Sequence, residues 1–481
     1  RLLERQLQQD AGREARPTTW DGSWWFVAVL VDRRSVADRR AFRSRATGAR
    51  LGELRPDTWL RPANIDVPTD LADALTTRGP LVSGGDDALV RRFVGAGHDV
   101  AVLAPSPHFP SGRGHPGDAS LRPGAVARGL HGEQIHRLRF LEHDASVASR
   151  GLDQLVSAAD ATRVGLARFS GQRRPDVVVA TAPGLPSLAA GRVLSTVLRV
   201  PLVMEVRDAW PDLLNVRHEW ESGAPGRPPS PRHRATTVAT LLSFPITVMQ
   251  RGADAVVTTT DSFADVLHGR GMHPVRVIRN GTHLTMPVTL PPPDPAAPEL
   301  RVLYLGTVGR SQGLGSAVRA AALARRAGVP VRLRIVGDGA ETPSLAELVH
   351  RLEAPVTILP PVPHADVLEH YAWADTVLVS LRGWEPLGWT VPSKLYEVLS
   401  TGRHVTGMLA GEAARIVEDT GGGHVVPPDE SAALAALWAR LHHDRGLLEV
   451  GPTPREWVAR HVDNDALADQ YLQLLEGVAR G

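Results

Sequence analysis

Residues 391–405 read VPSKLYEVLSTGRHV, and Lys394 within them is the only lysine in 481 residues. The other 53 of the 54 Lys and Arg side chains are arginine, a bias most simply explained by a GC-rich genome. Pro392 suits the first turn of a helix, and Ser393 can help satisfy that turn's unpaired N–H groups. A helix start that follows a strand is an anion site, because its free N–H groups and its dipole favour phosphate oxygens. A cation in that first turn opposes the dipole unless an anion is close. Lys394 therefore points to a bound diphosphate, where a charge-assisted hydrogen bond contributes about 1.5–3 kcal/mol. Glu397 lies one turn on, on the same face, where its carboxylate can accept hydroxyl donors of a ligand. An i,i+3 Lys–Glu surface pair is the plainer account of the same residues.

Outward from this stretch, short apolar runs alternate with helical patterns. HDVAVLAP (98–105), DVVVATA (176–182), PLVMEV (201–206) and ADAVVTTT (253–260) form a first group. RVLYLGTV (301–308), VRLRIVG (331–337), VTILPPV (356–362) and ADTVLVS (374–380) form a second. Val-, Ile- and Leu-rich runs spaced by amphipathic helices such as GSAVRAAALARRAG (315–328) predict parallel sheets covered on both faces. The expected organisation is two doubly wound α/β domains, 76–285 and 301–460, facing a cleft. A proline-rich linker, MPVTLPPPDPAAPEL (286–300), joins them and a closing helix ends the chain over 461–481.

Composition narrows the class of protein. A hydrophobic fraction of 43% with 22% charged residues is ordinary for a soluble globular chain. The net charge of +2 supplies no overall field towards nucleic acid. The absence of cysteine excludes disulfides, thiolate metal sites and cysteine nucleophiles, and fits a cytoplasmic location. No apolar run reaches the roughly 18–20 residues of a membrane span. TLLSFPITVM (240–249) is short and broken by Pro245, and reads as a buried helix or an interfacial contact. The chain begins at Arg1 rather than methionine, so a preceding piece is expected.

Residues 79 to the end resemble the family 4 glycosyltransferases. The stretches that carry the resemblance are PLVSGG (80–85), GHDVAVLAPSPHFPSG (97–112), EVRDAWPD (205–212), VIRNGTHL (277–284), YLGTVGRSQGL (304–314), IVGDGAE (335–341) and VPSKLYEVLSTGRHV. The resemblance implies a GT-B fold and transfer of a sugar, with retention, from a nucleotide-diphosphate sugar, with no metal or other cofactor. It assigns Glu397 to the ribose. Gly306 and Gly309 allow close backbone approach to phosphate, with Arg310 placed to reach it; an ordinary strand-to-helix turn would look the same. Relatives carry a lysine soon after this arginine, where Gln312 stands here. Asp338 is read as shaping its loop, and Val362 and Pro363 as contacting the nucleobase. The family's second glutamate is replaced by Trp389, with Glu385 nearby.

On the acceptor side, Asp208 follows a buried strand and is a candidate to bind or deprotonate an acceptor hydroxyl, assisted by Arg207; a structural Arg207–Asp208 pair is the alternative. Gly84 and Gly85 resemble the glycine loop through which the acceptor domain approaches the donor, or form a plain turn. His131 and His136 lack a third ligand in view and read as exposed histidines. His283 replaces an aspartate usual after the NG turn. Acceptors of relatives are glycans or lipid-linked envelope and polysaccharide precursors, so peripheral contact with the inner membrane face is expected.

Residues 1–75 follow another pattern. WDGSWWFVAVLVD (20–32) reads as a strand, DRRAFRSRATGAR (38–50) as a helix, and LRPDTWLRPANID (54–66) as a turn and second strand. This segment resembles the central, ferredoxin-like α+β domain of PaaX-like transcriptional repressors. That family's winged helix is absent, so DNA binding is not carried over. PLVSGG normally follows an apolar first strand, yet VPTDLADALTTRG (67–79) is no such strand. A fusion with its seam near 70–80, and loss of that strand, is the resulting expectation, with WWFVAVLV as a substitute strand the other reading. An epimerase on the same fold, or a regulator with an inactive transferase half, are the functional rivals.

Overall fold

In a computed structural model the chain divides into two compact units, residues 1–81 and 82–481. The structure describes residues 24–28, 52–55, 58–62 and 84–480, except 109–112, 114–118, 144–146, 183–184, 215, 217–245, 283–289 and 363–365. The first unit contains an antiparallel sheet of β1 (Trp24–Ala28), β2 (Gly52–Arg55) and β3 (Thr58–Pro62), in the order β1-β3-β2. β3 is the strand expected within 54–66, and β2, which starts before that stretch, is an additional one. β1 pairs with β3 in this sheet. The arginine-rich stretch at 38–50 and the seam at 70–80 lie outside the described residues.

The second unit begins with helix α1 (Gly84–Gly95) and strand β4 (Ala101–Pro105). β5 (Val126–Arg128) and β6 (Gln134–Leu138) follow, then α2 (Val147–Arg168), β7 (Val178–Ala182), α3 (Leu185–Leu198) and β8 (Leu202–Val206). β9 (Ala255–Thr258), α4 (Asp261–Gly269) and β10 (Val275–Val277) complete this half. Its strands form two sheets, β4-β6-β5 and β10-β9-β8-β7. β4 and β7 are the end strands of these sheets, and among the described residues no strand pairs with the outer side of either. Leu103 of β4 and Val178 of β7 nevertheless pack on one apolar cluster around Leu194 and Leu198 of α3. On β7, Val179 is 41% exposed, unusual for a strand that should have helices on both faces.

The other half is a six-stranded parallel sheet of β11 (Leu300–Leu305), β12 (Val331–Val336), β13 (Val356–Leu359), β14 (Thr376–Ser380), β15 (His404–Met408) and β16 (Gly423–Val426). The order β13-β12-β11-β14-β15-β16 reverses direction between β11 and β14, and ligands of such sheets bind beyond the strand ends at that reversal. Helices α5 (Leu314–Arg326), α6 (Thr342–Leu352), α7 (Val367–Trp373), α8 (Ser393–Thr401), α9 (Gly411–Thr420), α10 (Ser431–His443) and α11 (Thr453–His461) cover it, with separate apolar cores on its two faces. The last helix, α12 (Asn464–Arg480), leaves this half. Its Leu467, Tyr471 and Leu475 pack with Val203, Val257, Leu89 and Phe93 of the first half. The apolar stretch near Pro245 is helical from residue 246, and no helix among the described residues is long and apolar enough to cross a membrane.

The centre of the second sheet carries a polar cluster with a pH consequence. His404 is fully buried; its Nδ1 lies 2.7 Å from Thr376 Oγ1 and its Nε2 2.9 Å from His424 Nδ1. Burial first, then the neighbouring His424, push its pKa from 6.5 down to about 3. The unfolded chain then binds this proton more readily than the folded one, so the stability contribution is complete above about pH 6.5 and is lost as pH falls towards 3. Denaturant midpoints are expected to drop between about pH 7.5 and 5, with a shallower drop in His404→Gln.

Candidate active site

At the reversal between β11 and β14, the loop after β11 meets the start of α8. Gly306 has φ 144°, and a Cβ there would collide with the Lys394 Nζ. The residues 88 positions apart that were read as one phosphate site are therefore brought together. Pro392 is the residue just before α8 rather than within its first turn, and no side chain caps the helix, so Ser393 does not take the capping role expected of it. The Leu395 N–H donates to the Pro392 carbonyl at 2.9 Å, which leaves the Ser393 and Lys394 N–H groups for a ligand. Lys394 is half-buried; loss of water lowers its pKa, opposed by the Glu397 carboxylate. Glu397 Oε2 accepts a hydrogen bond of 3.2 Å from the Tyr371 hydroxyl. Burial, then the charge of Glu397, hold Tyr371 well above its usual pKa, so it stays a donor. Tyr371 was missed because it lies 26 residues away on α7, with no local signal linking it to Glu397.

The glycine turns divide in role. Gly337 has φ 148° and a Cβ on it would overlap the Gly306 carbonyl, so the ends of β11 and β12 approach through bare backbone. Gly309, with φ −106° and ψ 174°, has a conformation open to any residue, and the Gln312 side chain fills the space beside it. Arg310 follows, exposed and without an ion pair among the described residues, while its carbonyl accepts from Arg382 Nε at 2.8 Å. Asp338 accepts from Thr342 Oγ1 at 2.9 Å, the loop-shaping contact expected of it. Val362 is half-buried against the adjoining core, and Pro363 lies outside the described residues, as does His283.

Gly306→Ala separates the role of this contact from stability. The lysine tip can swing away from the new methyl, so the fold is expected to lose only about 1–3 kcal/mol from the disfavoured dihedral. Nucleotide affinity, which needs the ammonium in place, should fall by about tenfold or more, read by calorimetric titration.

In the first half, β8 ends in fully buried residues and delivers Arg207 and Asp208 to its C-terminal end. The structural Arg207–Asp208 pair, the alternative reading, is not formed. The Arg207 guanidinium grips Glu205, with Nε 3.1 Å from Oε2 and an Nη2 hydrogen bond of 3.2 Å to Oε1. Glu205 is buried and requires a cation, and Thr181 Oγ1 adds a hydrogen bond at 3.0 Å. Asp208 keeps a solvent-facing side while the surrounding protein withdraws water; this raises its pKa, against the pull of Arg207. Gly84 and Gly85 form the first turn of α1 rather than a loop, because the helix extends back through residues that accept helical dihedrals as readily as turn ones. His136 is buried, 6% exposed, and stacks edge-on against Phe169, contrary to the exposed position expected.

Trp389 takes part in joining the halves. Its carbonyl accepts from Thr260 Oγ1 at 2.5 Å and its ring stacks on Phe263 with centroids 6.1 Å apart. Glu385 is exposed. Beside them Glu412 of α9 receives the Ser262 N–H at 2.7 Å and Arg279 Nη1 at 2.7 Å, while Arg279 Nη2 reaches Asp261 at 2.5 Å.

Comparison with known proteins follows this division. Residues 87–281 match the family described as glycosyl transferase 4-like domain, and residues 299–444 match glycosyl transferases group 1. The protein named as colanic acid biosynthesis glycosyltransferase WcaL of Salmonella typhimurium is 27% identical over 236 residues, 47% of this chain and 58% of that protein. The chain thus matches less than two thirds of this relative's length. Sucrose-phosphate synthase from Thermosynechococcus elongatus superposes with a TM-score of 0.61 at 19% identity, covering 81% of this chain and 91% of that one. Anabaena HepE in complex with UDP and glucose superposes at 0.51 and 19%, covering 72% and 87%. These likenesses show the two-domain GT-B fold. With two family matches in tandem over more than half of its length, the chain belongs to the glycosyltransferases.

Proposed function

We propose that the chain is a retaining transferase that moves a sugar from a nucleotide-diphosphate donor to a glycan or lipid-linked acceptor in cell-envelope or polysaccharide assembly. The observation that carries this reading is the Lys394 ammonium seated on Gly306 at the sheet's reversal point, with Glu397 one helical turn on. HepE, a protein of the same fold, is described with UDP and glucose bound, and WcaL is named for colanic acid biosynthesis. Lys394, Arg310 and the Ser393 and Lys394 N–H groups that open α8 neutralise charge that builds on the departing diphosphate. Glu397, steadied by Tyr371, takes the ribose hydroxyls. Asp208 binds the acceptor hydroxyl, its raised pKa suiting it to share a proton. Arg207 acts through Glu205, holding the end of β8 in place. Transfer proceeds on the cytoplasmic side, at the inner membrane face when the acceptor is lipid-linked.

A thermal-shift screen of nucleoside diphosphates and nucleotide sugars tests the donor site. At least one should raise the melting temperature, and the reading fails if none does. Retention is tested by the anomeric configuration of the product in NMR spectra; an inverted anomer overturns it.

The sheet edges at β4 and β7 carry a second proposal, that the acceptor half lacks its first strand. In a doubly wound sheet of this order that strand lies between the two edges, which here share the α3 cluster without pairing. Inserting six apolar β-branched residues before Pro80 should raise both the melting temperature and the turnover. Unchanged values in both would sink it.

A further inference from the structure

Beyond the C-terminal ends of the parallel pair β4 and β6 lies a cluster that the donor site does not use. His108 stands three residues after β4, His143 five after β6, and Asp153 on α2. Their side chains are largely buried, 13%, 10% and 8% exposed. Asp153 Oδ2 lies 3.2 Å from His108 Nε2 and 4.0 Å from His143 Nε2, and ligand atoms of all three fall within 4.8 Å of one another.

The surrounding contacts fix what these atoms present. His108 Nδ1 is 2.7 Å from the Ser106 carbonyl oxygen. A carbonyl only accepts, so Nδ1 carries a hydrogen and Nε2 is the nitrogen that faces Asp153. Asp153 Oδ1 is held by the Leu141 N–H at 2.8 Å, which orients Oδ2 towards both histidines. The His108 ring stacks on Phe140 with centroids 4.7 Å apart and meets His143 edge-on at 5.5 Å. Lone pairs of an imidazole and a carboxylate repel unless a cation, either a proton or a metal ion, lies between them. Two bonds of about 2.0 Å in tetrahedral geometry span about 3.3 Å between ligand atoms, close to the His108–Asp153 separation. Backbone partners on the outer atoms of His108 and Asp153 are the outer shell that orients metal ligands.

We infer that His108, His143 and Asp153 form a binding site for a divalent cation of the zinc type, held by two imidazole nitrogens and one carboxylate oxygen, with a coordination position left for an oxygen ligand. The two-His-one-carboxylate set suits borderline metals rather than magnesium or calcium. Its place beyond the C-terminal ends of β4 and β6 puts it on the ligand-binding edge of the acceptor half, apart from the Lys394 site. Sequence reading considered only His131 and His136, because 45 residues separate His108 from Asp153 and no short spacing motif links them.

The test is titration of chelator-treated full-length protein with Co²⁺, followed by visible d–d absorption and by elemental analysis of bound metal after Zn²⁺ loading. One equivalent is expected, with affinity reduced at least about tenfold in His143→Ala and in Asp153→Asn, which keeps the Leu141 contact; His131→Ala should bind like the wild type. Failure to take up one equivalent, or equal uptake by the variants, overturns the site. If the variants do not fold, pulsed EPR of the Cu²⁺-loaded wild type decides. Two coordinated imidazoles support the assignment, and fewer overturn it.

Discussion

Replacing Lys394 by alanine is expected to weaken nucleotide-diphosphate binding roughly 10- to 150-fold, the equivalent of one charge-assisted hydrogen bond of about 1.5–3 kcal/mol. The effect should be large because the ammonium is half-buried, and its pKa is already lowered by lost water with only Glu397 opposing. A bound diphosphate relieves that penalty, and alanine leaves the phosphate with Arg310 and the backbone. Lys394→Arg should also bind more weakly than wild type. The Nζ lies so close to Gly306 that even a Cβ there would collide, and a planar guanidinium needs more room than a compact ammonium. Calorimetric titration against a panel of nucleoside diphosphates measures both. Arginine at this position with full affinity would show that a positive charge alone suffices and that the close packing is irrelevant.

Arg279→Ala is expected to cost about 3–5 kcal/mol of stability, because it strands a buried carboxylate. Arg279 follows β10 in the first half, and its side chain is 13% exposed where it meets Glu412, 6% exposed, on α9 of the second. Burial acts to raise the Glu412 pKa, but the Ser262 N–H and Arg279 outweigh it, so the carboxyl is held below its usual range. The folded state therefore favours the ionised form, and this contribution is complete above the unfolded pKa and lost as pH falls through the lowered one. Urea unfolding at neutral pH should show the loss, and Glu412→Gln in the Arg279→Ala background should recover part of it by removing the unpaired charge. Additive single-variant effects would mean that the two groups do not interact.

Much of the donor half was legible from its residues. RVLYLGTV is buried over most of its length in a parallel sheet and appears as a near-continuous apolar segment, whereas VRLRIVG alternates, with Arg332 exposed and Arg334 half-buried between buried Val331, Leu333 and Ile335. Strands that carry polar or small residues were not read: β15 includes His404 and Thr406, and β16 begins at Gly423. β5 is three residues long, too short for a period. Gly306 and Lys394 were paired in advance because a glycine turn after a strand and a lysine at a helix start each suggest phosphate on local grounds.

The sequence by itself determined the alternation that makes two α/β halves, the helix start that carries Lys394 and Glu397, and the strand that brings Asp208 to its C-terminal end. Each is a property of neighbours along the chain, set by side-chain period, helix-end chemistry and the burial of β-branched runs. Tertiary structure alone decided that Arg207 answers Glu205 instead of Asp208, that Tyr371 supports Glu397, that Trp389 and Glu412 join the halves, and that His108, His143 and Asp153 converge. These depend on which distant groups share a dehydrated space, where a charge or a lone pair must find whatever partner the fold places beside it.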